Sequence, residues 1–288
     1  MFQVNQAYAA LVSVTGGELG FWGDKGWLFG IISAGLVGIV IIGGIKRIAH
    51  VAEVIVPFMG GLYVTAALAV IVMNYTEIPG AFSIIFESGL SLKAGVGGLL
   101  GAIIMGIQRA AFSNEAGLGT AAIAHAPTKT SQPISEGFIG MLGPVIDTVI
   151  VCTMTALVIV TSGVYEVGQG MEGVALTNRA FATHIAWFPY VLAVAVNLFA
   201  FSTMLAWSYY GSKSFSFIFG ERRDIELIYR LSFCGFLVIG AMAELGPVIA
   251  FTDAMVFAMA VPNIIGLYLL APTLKRKLKI YWAEYAGT

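Results

Sequence analysis

Charge is the scarcest commodity in this chain. Only 11% of its 288 residues are Asp, Glu, Lys or Arg, and they nearly cancel to a net charge of -1. A soluble domain carries about a quarter charged residues, so a soluble globular protein and a solvated disordered chain are both excluded. A balanced charge offers nothing to a polyanion, which excludes a nucleic-acid binder. Cysteine is almost absent: Cys152 and Cys234 each sit inside an apolar run, so neither a disulfide framework nor a thiolate metal site is expected. The three histidines, His50, His125 and His184, lie far apart with no metal-ligand spacing. There is no G-x-S-x-G, P-loop or dinucleotide fingerprint, and no local motif joins Asp147, His184 and a serine into a hydrolytic triad. The first residues, MFQVNQ, lack the basic stretch and apolar core of a signal peptide.

What the chain has is apolar length. Apolar residues make up 58% of it, with a mean hydropathy of +0.89. Its 35 glycines suit close helix packing and broken segments in a membrane bundle. A membrane helix needs about 20 mostly apolar residues. Segments near residues 27–45, 54–72, 95–112, 134–160, 181–209, 225–242 and 248–271 meet that requirement. An eighth, residues 1–14, is too short to cross and reads as half of a helix. The class is therefore an all-α integral membrane bundle, with residues 1–272 in the membrane domain and 273–288 as a basic tail.

The cations orient the bundle. Lys46, Arg47, Lys129, Lys213, Arg222, Arg223, Arg230, Lys275, Arg276, Lys277 and Lys279 fall on one side. Only Lys25, Lys93 and Arg179 fall on the other, and Arg109 lies near the inner end of a span. By the positive-inside rule the first set is cytoplasmic, which places the C-terminus and its Trp282 at the inner face of a plasma membrane.

One stretch breaks the apolar pattern. Residues 106–127 read GIQRAAFSNEAGLGTAAIAHAP. An apolar helix runs into Ser113, Asn114, Glu115 and Thr120, interleaved with Gly117 and Gly119. An ionised acid at mid-membrane costs roughly 2.5–3.5 kcal/mol by insertion scales. Irregular backbone at that depth is tolerated only where it lines a cavity or is buried in protein. Discontinuous helices bind carboxylates and cations in many carriers; the plain alternative is a loop that merely follows a span. Asp147 is also placed mid-span, as a functional acid or as a packing partner. Ser202 and Thr203 could ligate a hard cation, or simply bond their own i−4 carbonyls. Thr203 and Trp207 share a helix face, so the indole could wall a small-molecule pocket or, with Tyr209 and Tyr210, join an interfacial belt.

RAAFSNEAGLGTA at residues 109–121 closely resembles the R-G-x-F-S-N-E-A-G-x-G-S-A signature of the alanine/glycine:cation symporter family. The similarity continues through DTVIVCTMTA (147–156), FAFSTMLAWSYYG (199–211), GGIKRI (43–48), VPFM (56–59) and AVPNIIGL (260–267). His125, Pro133 and Gly137 follow the family's order as well. Ala110, Thr120 and Glu136 stand where the family usually has Gly, Ser and Gln.

The resemblance implies a leucine-transporter-type inverted-repeat bundle and sodium-coupled symport of a small neutral amino acid, alanine or glycine, by alternating access. Sodium would be co-transported, with no organic cofactor. It implies substrate contacts from Phe112, Ser113, Asn114 and Gly117, closed by Trp207, Phe2 and Gln3. Sodium would take the Phe199 carbonyl with Ser202 and Thr203. Glu115 and Asp147 would act as structural or gating partners. Family members are longer and carry a glycine-rich first core helix, so the chain resembles their C-terminal portion: half of the third core helix and the fourth to tenth. Two other readings stand beside transport. One is a non-transporting remnant or assembly partner of the missing N-terminal helices. The other is a proton-coupled carrier using Asp147 or Glu115.

Overall fold

The computed structural model describes residues 1–90, 95–167, 171 and 173–285. Lys93 of the predicted outer set and the end of the basic tail, residues 286–288, lie outside them. The described residues are helical nearly throughout, in two compact units: Met1–Leu90 with Thr153–Ile249, and Ser91–Cys152 with Ala250–Thr288.

The first unit begins with α1 (Phe2–Val14) and α2 (Gly26–Ile41). Helix α2 is shorter than the predicted span, because the Gly43–Gly44 pair ends it. Gly44 sits at φ 68, the left-handed conformation that stops a helix and that glycine adopts without strain. Helix α3 (Gly44–Met73) starts at once, so Lys46 and Arg47 lie in its first turn rather than in a loop. The connection at Tyr75–Glu77 leads into a helix that the sequence did not announce, α4 (Ile78–Leu90).

In the second unit α5 (Gly95–Asn114) and the short α6 (Thr120–His125) flank the polar break. Next come α7 (Pro133–Pro144), a π-helical stretch at Val145–Val151 and α8 (Cys152–Thr161), which leads back into the first unit. There α9 (Val164–Val167) and α10 (Val174–His184) precede α11 (Phe188–Phe219). The single span predicted over 181–209 is thus two helices. The chain turns at Ile185–Trp187, and Pro189 restarts it in the first turn of α11, where its missing N–H costs nothing. Helix α12 (Arg223–Met242) opens with Asp224 and Glu226, acids that suit a helix N-terminus. Helix α13 (Leu245–Tyr285) runs for 41 residues, continuing through the predicted tail. At 1.5 Å per residue that is about 60 Å, twice a hydrocarbon core.

Among the described residues, five helical stretches are long and apolar enough to cross a membrane: Gly44–Met73, Pro133–Thr161, Phe188–Phe219, Arg223–Met242 and Leu245–Tyr285.

The first unit is held by small residues at helical spacing. Gly26 and Gly30 sit one turn apart on α2, where it packs along α12. A Cβ on Gly26 would stand 2.7 Å from the Ala241 carbonyl oxygen, and one on Gly30 would stand 2.7 Å from the Val238 Cα. Helices approach this closely only without side chains between them. Around this contact lie Val4, Phe29, Val37, Met204, Leu205 and Leu237.

Helix α1 adds polar ties. Asn5 donates to the Ala243 carbonyl at 2.6 Å and the Gly240 carbonyl at 3.2 Å, and Asn178 donates to Ser13 at 2.9 Å. These pairings satisfy groups that would otherwise be stranded in an apolar surround. A second aromatic nucleus forms where Phe181, fully buried, lies 4.7 Å from Phe188 and 6.0 Å from Tyr63.

Candidate functional site

The predicted break is a true interruption of the helix. Between α5 and α6, Glu115 (φ 56), Gly117 (φ 87) and Gly119 (φ 91) all take left-handed backbone. The two glycines do so freely. Glu115 is the only non-glycine with positive φ among the described residues, a conformation uncommon for a long side chain and concentrated at functional sites. Asn114 stabilises the first turn, its Oδ1 accepting the Ala116 N–H at 2.8 Å, and Leu118 N–H reaches the Glu115 carbonyl at 3.1 Å. The local sequence therefore makes its own break: an Asn that replaces a helical bond, followed by glycines that accept the reversed φ.

Helix α13 holds the break in place. Asn263 donates to the Gly117 carbonyl at 2.8 Å, and its side chain lies so close to Gly119 that a Cβ there would be 3.1 Å from Asn263 Oδ1. Farther along, Arg109 pairs with Asp253 at 2.5 Å and lies 5.8 Å over the Phe112 ring. Asp253 and Asn263 stand in an apolar run. Their partners lie more than 140 positions away and no local pattern could supply them.

Asn263→Ala should leave the Gly117 carbonyl unpaired at a cost of about 1–3 kcal/mol. Thermal unfolding in detergent would show this as a midpoint lowered by several degrees. An unchanged midpoint would mean that the clamp carries no load.

On the other side of the break stands the π-helical stretch. It follows Pro144, which cannot donate to the helical ladder. Wide turns of this kind are rare and gather at functional sites. This one presents Asp147 and Thr148 to the break. Ser113 donates to the Asp147 carboxylate, and Asn114 donates to Thr148 Oγ1 at 3.0 Å. Ser113 also lies 3.5 Å from both Thr148 Oγ1 and Cys152 Sγ. Asp147 is thus a hydrogen-bonded partner of the break. Thr120 Oγ1, at the start of α6, is buried with no partner among the described residues.

The residues of the first unit form a separate cluster. Phe199, Ser202 and Thr203 lie on one face of α11. Both hydroxyls reach the Phe199 carbonyl, each at 2.9 Å. Three oxygens at i, i+3 and i+4 are therefore brought together. The Thr203 bond is the i−4 bond of the plain reading and the Ser202 bond is an i−3 bond; the carbonyl accepts from both, and each hydroxyl oxygen keeps lone-pair capacity. An all-oxygen set suits a hard cation. Trp207 follows one turn on, 6.1 Å from Tyr210. Phe2 and Gln3 open α1, which packs along α11.

Long apolar helices, a helix broken by left-handed residues and another carrying an oxygen cluster define a multi-pass membrane protein. The comparisons with known proteins make this particular. The sodium:alanine symporter family matches residues 1–287. The sodium/alanine symporter AgcS of Methanococcus maripaludis is 39% identical over 255 residues, which cover 88% of this chain and 56% of that protein. The probable sodium/glutamine symporter GlnT of Bacillus subtilis is 34% identical over 262 residues, 90% of this chain and 54% of that one. The sodium/proton-dependent alanine carrier protein of Bacillus sp. PS3 is 32% identical over 269 residues, 88% and 60% respectively. The chain belongs to the sodium:alanine symporter family, a family of transporters and not of enzymes, and it spans little more than half the length of these relatives.

Proposed function

We propose that this chain serves the sodium-coupled uptake of a small neutral amino acid, alanine or glycine, by alternating access within a leucine-transporter-type inverted repeat. The observation that carries the reading is the break at residues 115–119. It leaves backbone groups free of the helical ladder, beside Phe112, Ser113 and Asn114, within a chain whose family moves amino acids. In this reading the ammonium and carboxylate of the substrate take backbone carbonyls and N–H groups around Ser113, Asn114 and Gly117 that lie outside the helical ladder. Sodium takes the Phe199 carbonyl with Ser202 and Thr203. Asp147 and Glu115 shape the break and gate its movement. Coupling follows if bound sodium favours the conformation that binds substrate, since linkage raises both affinities by the same factor. In this reading the basic end of α13 lies in the cytoplasm, which the distribution of lysine and arginine supports.

The test is uptake of radiolabelled alanine into proteoliposomes, with the M. maripaludis symporter run in parallel. Uptake that follows an inward sodium gradient supports the reading. Failure to accumulate alanine or glycine under any sodium gradient, while the parallel symporter works, overturns it. A second reading has its own support. One relative is named for both sodium and protons, and Asp147 is a carboxylate hydrogen-bonded to the break. Uptake that ignores sodium, follows a pH gradient and is lost in Asp147→Asn would establish proton coupling instead.

A further inference from the structure

A polar cavity lies in the first unit, apart from the Phe199–Thr203 cluster. It measures about 190 Å³ and sits where α2 gives way to α3, against α11 and α12. That is room for several waters at about 30 Å³ each. Its floor is apolar, made by Ile41, Ile45 and Ile48. Its polar lining comes from Ser208, Tyr209, Ser212 and Lys213 of α11 and from Glu226 and Arg230 of α12. Two cations and one acid face it, so the cavity carries an excess positive charge.

The cations are not equivalent. Arg230 is engaged at both ends of its fork, pairing with Glu226 at 3.0 Å and donating to the Ile42 carbonyl at 3.4 Å. It is held still, aimed at the end of α2. Lys213 lies 5.9 Å over the Tyr209 ring and its ammonium has no acid partner among the described residues.

Ser212 is the decisive residue. It is 6% exposed, lines the cavity, and has no hydrogen-bond partner among the described residues. Ser208, one turn back, spends its hydroxyl on the Leu205 carbonyl at 2.7 Å. A serine in an apolar helix normally bonds back in that way. Ser212 thus places a hydroxyl with no protein partner in the wall of a cavity that carries excess positive charge.

These observations point to an anion with several acceptor oxygens. We propose that the cavity binds a phosphate group, with Ser212 donating a hydrogen bond and Lys213 and Arg230 supplying charge. A phosphate offers oxygens to the Ser212 hydroxyl and the Lys213 ammonium, and the anchored Arg230 adds positive charge beside them. The source favoured by the surroundings is a membrane lipid headgroup. The cavity lies at the cation-rich end of the bundle, and Ile42 beside it is 68% exposed, as are the apolar side chains of Ile228 (57%) and Leu231 (64%) on α12. Basic pockets between membrane helices at the cytoplasmic face bind acidic headgroups in this manner.

The experiment uses the purified 288-residue chain in detergent, measuring thermal unfolding and lipid retention by native mass spectrometry. The probes are phosphatidylglycerol, phosphatidylcholine and inorganic phosphate. The expected result is a stabilising shift and retained phosphatidylglycerol, with affinity reduced about tenfold in Ser212→Ala and in Lys213→Gln. Ser212→Ala removes a hydroxyl that bonds nothing in the protein. Its ligand-free unfolding midpoint should therefore stay where it is, which a merely structural serine would not allow. Lys46→Gln, a cation outside the cavity, should bind as the parent does. A shift with inorganic phosphate alone would assign the site to a soluble phosphate instead of a lipid. Equal behaviour of phosphatidylglycerol and phosphatidylcholine with no response to phosphate, or unchanged binding in both Ser212→Ala and Lys213→Gln, overturns the proposal.

Discussion

Gly30→Leu should be the most damaging single substitution in the first unit. A Cβ at Gly30 would lie 2.7 Å from the Val238 Cα and 3.2 Å from both the Val238 carbonyl oxygen and the Ala241 Cβ. Those are backbone atoms and a Cβ, none of which can rotate aside. The helices must separate, and the contacts around Phe29, Val37 and Leu237 open with them. Overpacking costs about 1–3 kcal/mol where side chains can adjust; here they cannot, and a loss of roughly 3 kcal/mol or more is expected. Gly35→Leu is the matched control. It lies on the same helix, and nothing stands within 4 Å of the Cβ it would add. Both changes gain the same helix propensity, about 1 kcal/mol. Unfolding midpoints in detergent should therefore drop sharply for Gly30→Leu and hold or rise for Gly35→Leu. Equal midpoints would show that the α2–α12 contact is not a close one.

Thr203→Ala is the second large effect, this time on binding. Thr203 Oγ1 is one of three oxygens gathered at the Phe199 carbonyl. Within the protein its bond is local, to the same helix four residues back, and even side-chain hydrogen bonds between membrane helices average only about 0.6 kcal/mol. Stability should barely change. As a cation ligand the same atom matters far more, since even groups supporting a ligand from behind contribute about 10–100-fold in affinity. Binding of radiolabelled sodium to the purified protein should weaken at least tenfold in Thr203→Ala, and Thr203→Ser, which keeps the hydroxyl, should restore most of it. Sodium binding unaffected by Thr203→Ala would return Ser202 and Thr203 to plain helix packing.

How far these features could be read in advance depends on their range along the chain. The break at 115–119 was legible because its causes are adjacent. Asn114 replaces a helical bond two residues on, and Gly117 and Gly119 accept reversed φ, so the local sequence dictates the turn. The oxygen cluster on α11 was legible for the same reason, being fixed by the 3.6-residue period. Helix ends were read less well. The run at 181–209 looked continuous because hydropathy does not register a turn at Ile185–Trp187, and α4, at 13 residues, is too short to meet the spanning length.

Composition and hydropathy alone determined that this is an all-helical membrane protein. With so few charges and so much apolar surface, only a bilayer can solvate the chain, and only helices can satisfy its backbone there. The signature around Ser113–Gly119 determined the family. Tertiary structure decided what those residues touch. It placed Asn263 on the Gly117 carbonyl, Asp253 on Arg109 and Asp147 on Ser113, and it left Ser212 facing a basic cavity with nothing to bond. Each of these rests on two helices meeting at one particular register. Register comes from the fit of small residues such as Gly26 and Gly30 against a distant backbone, and no local pattern in the chain encodes it.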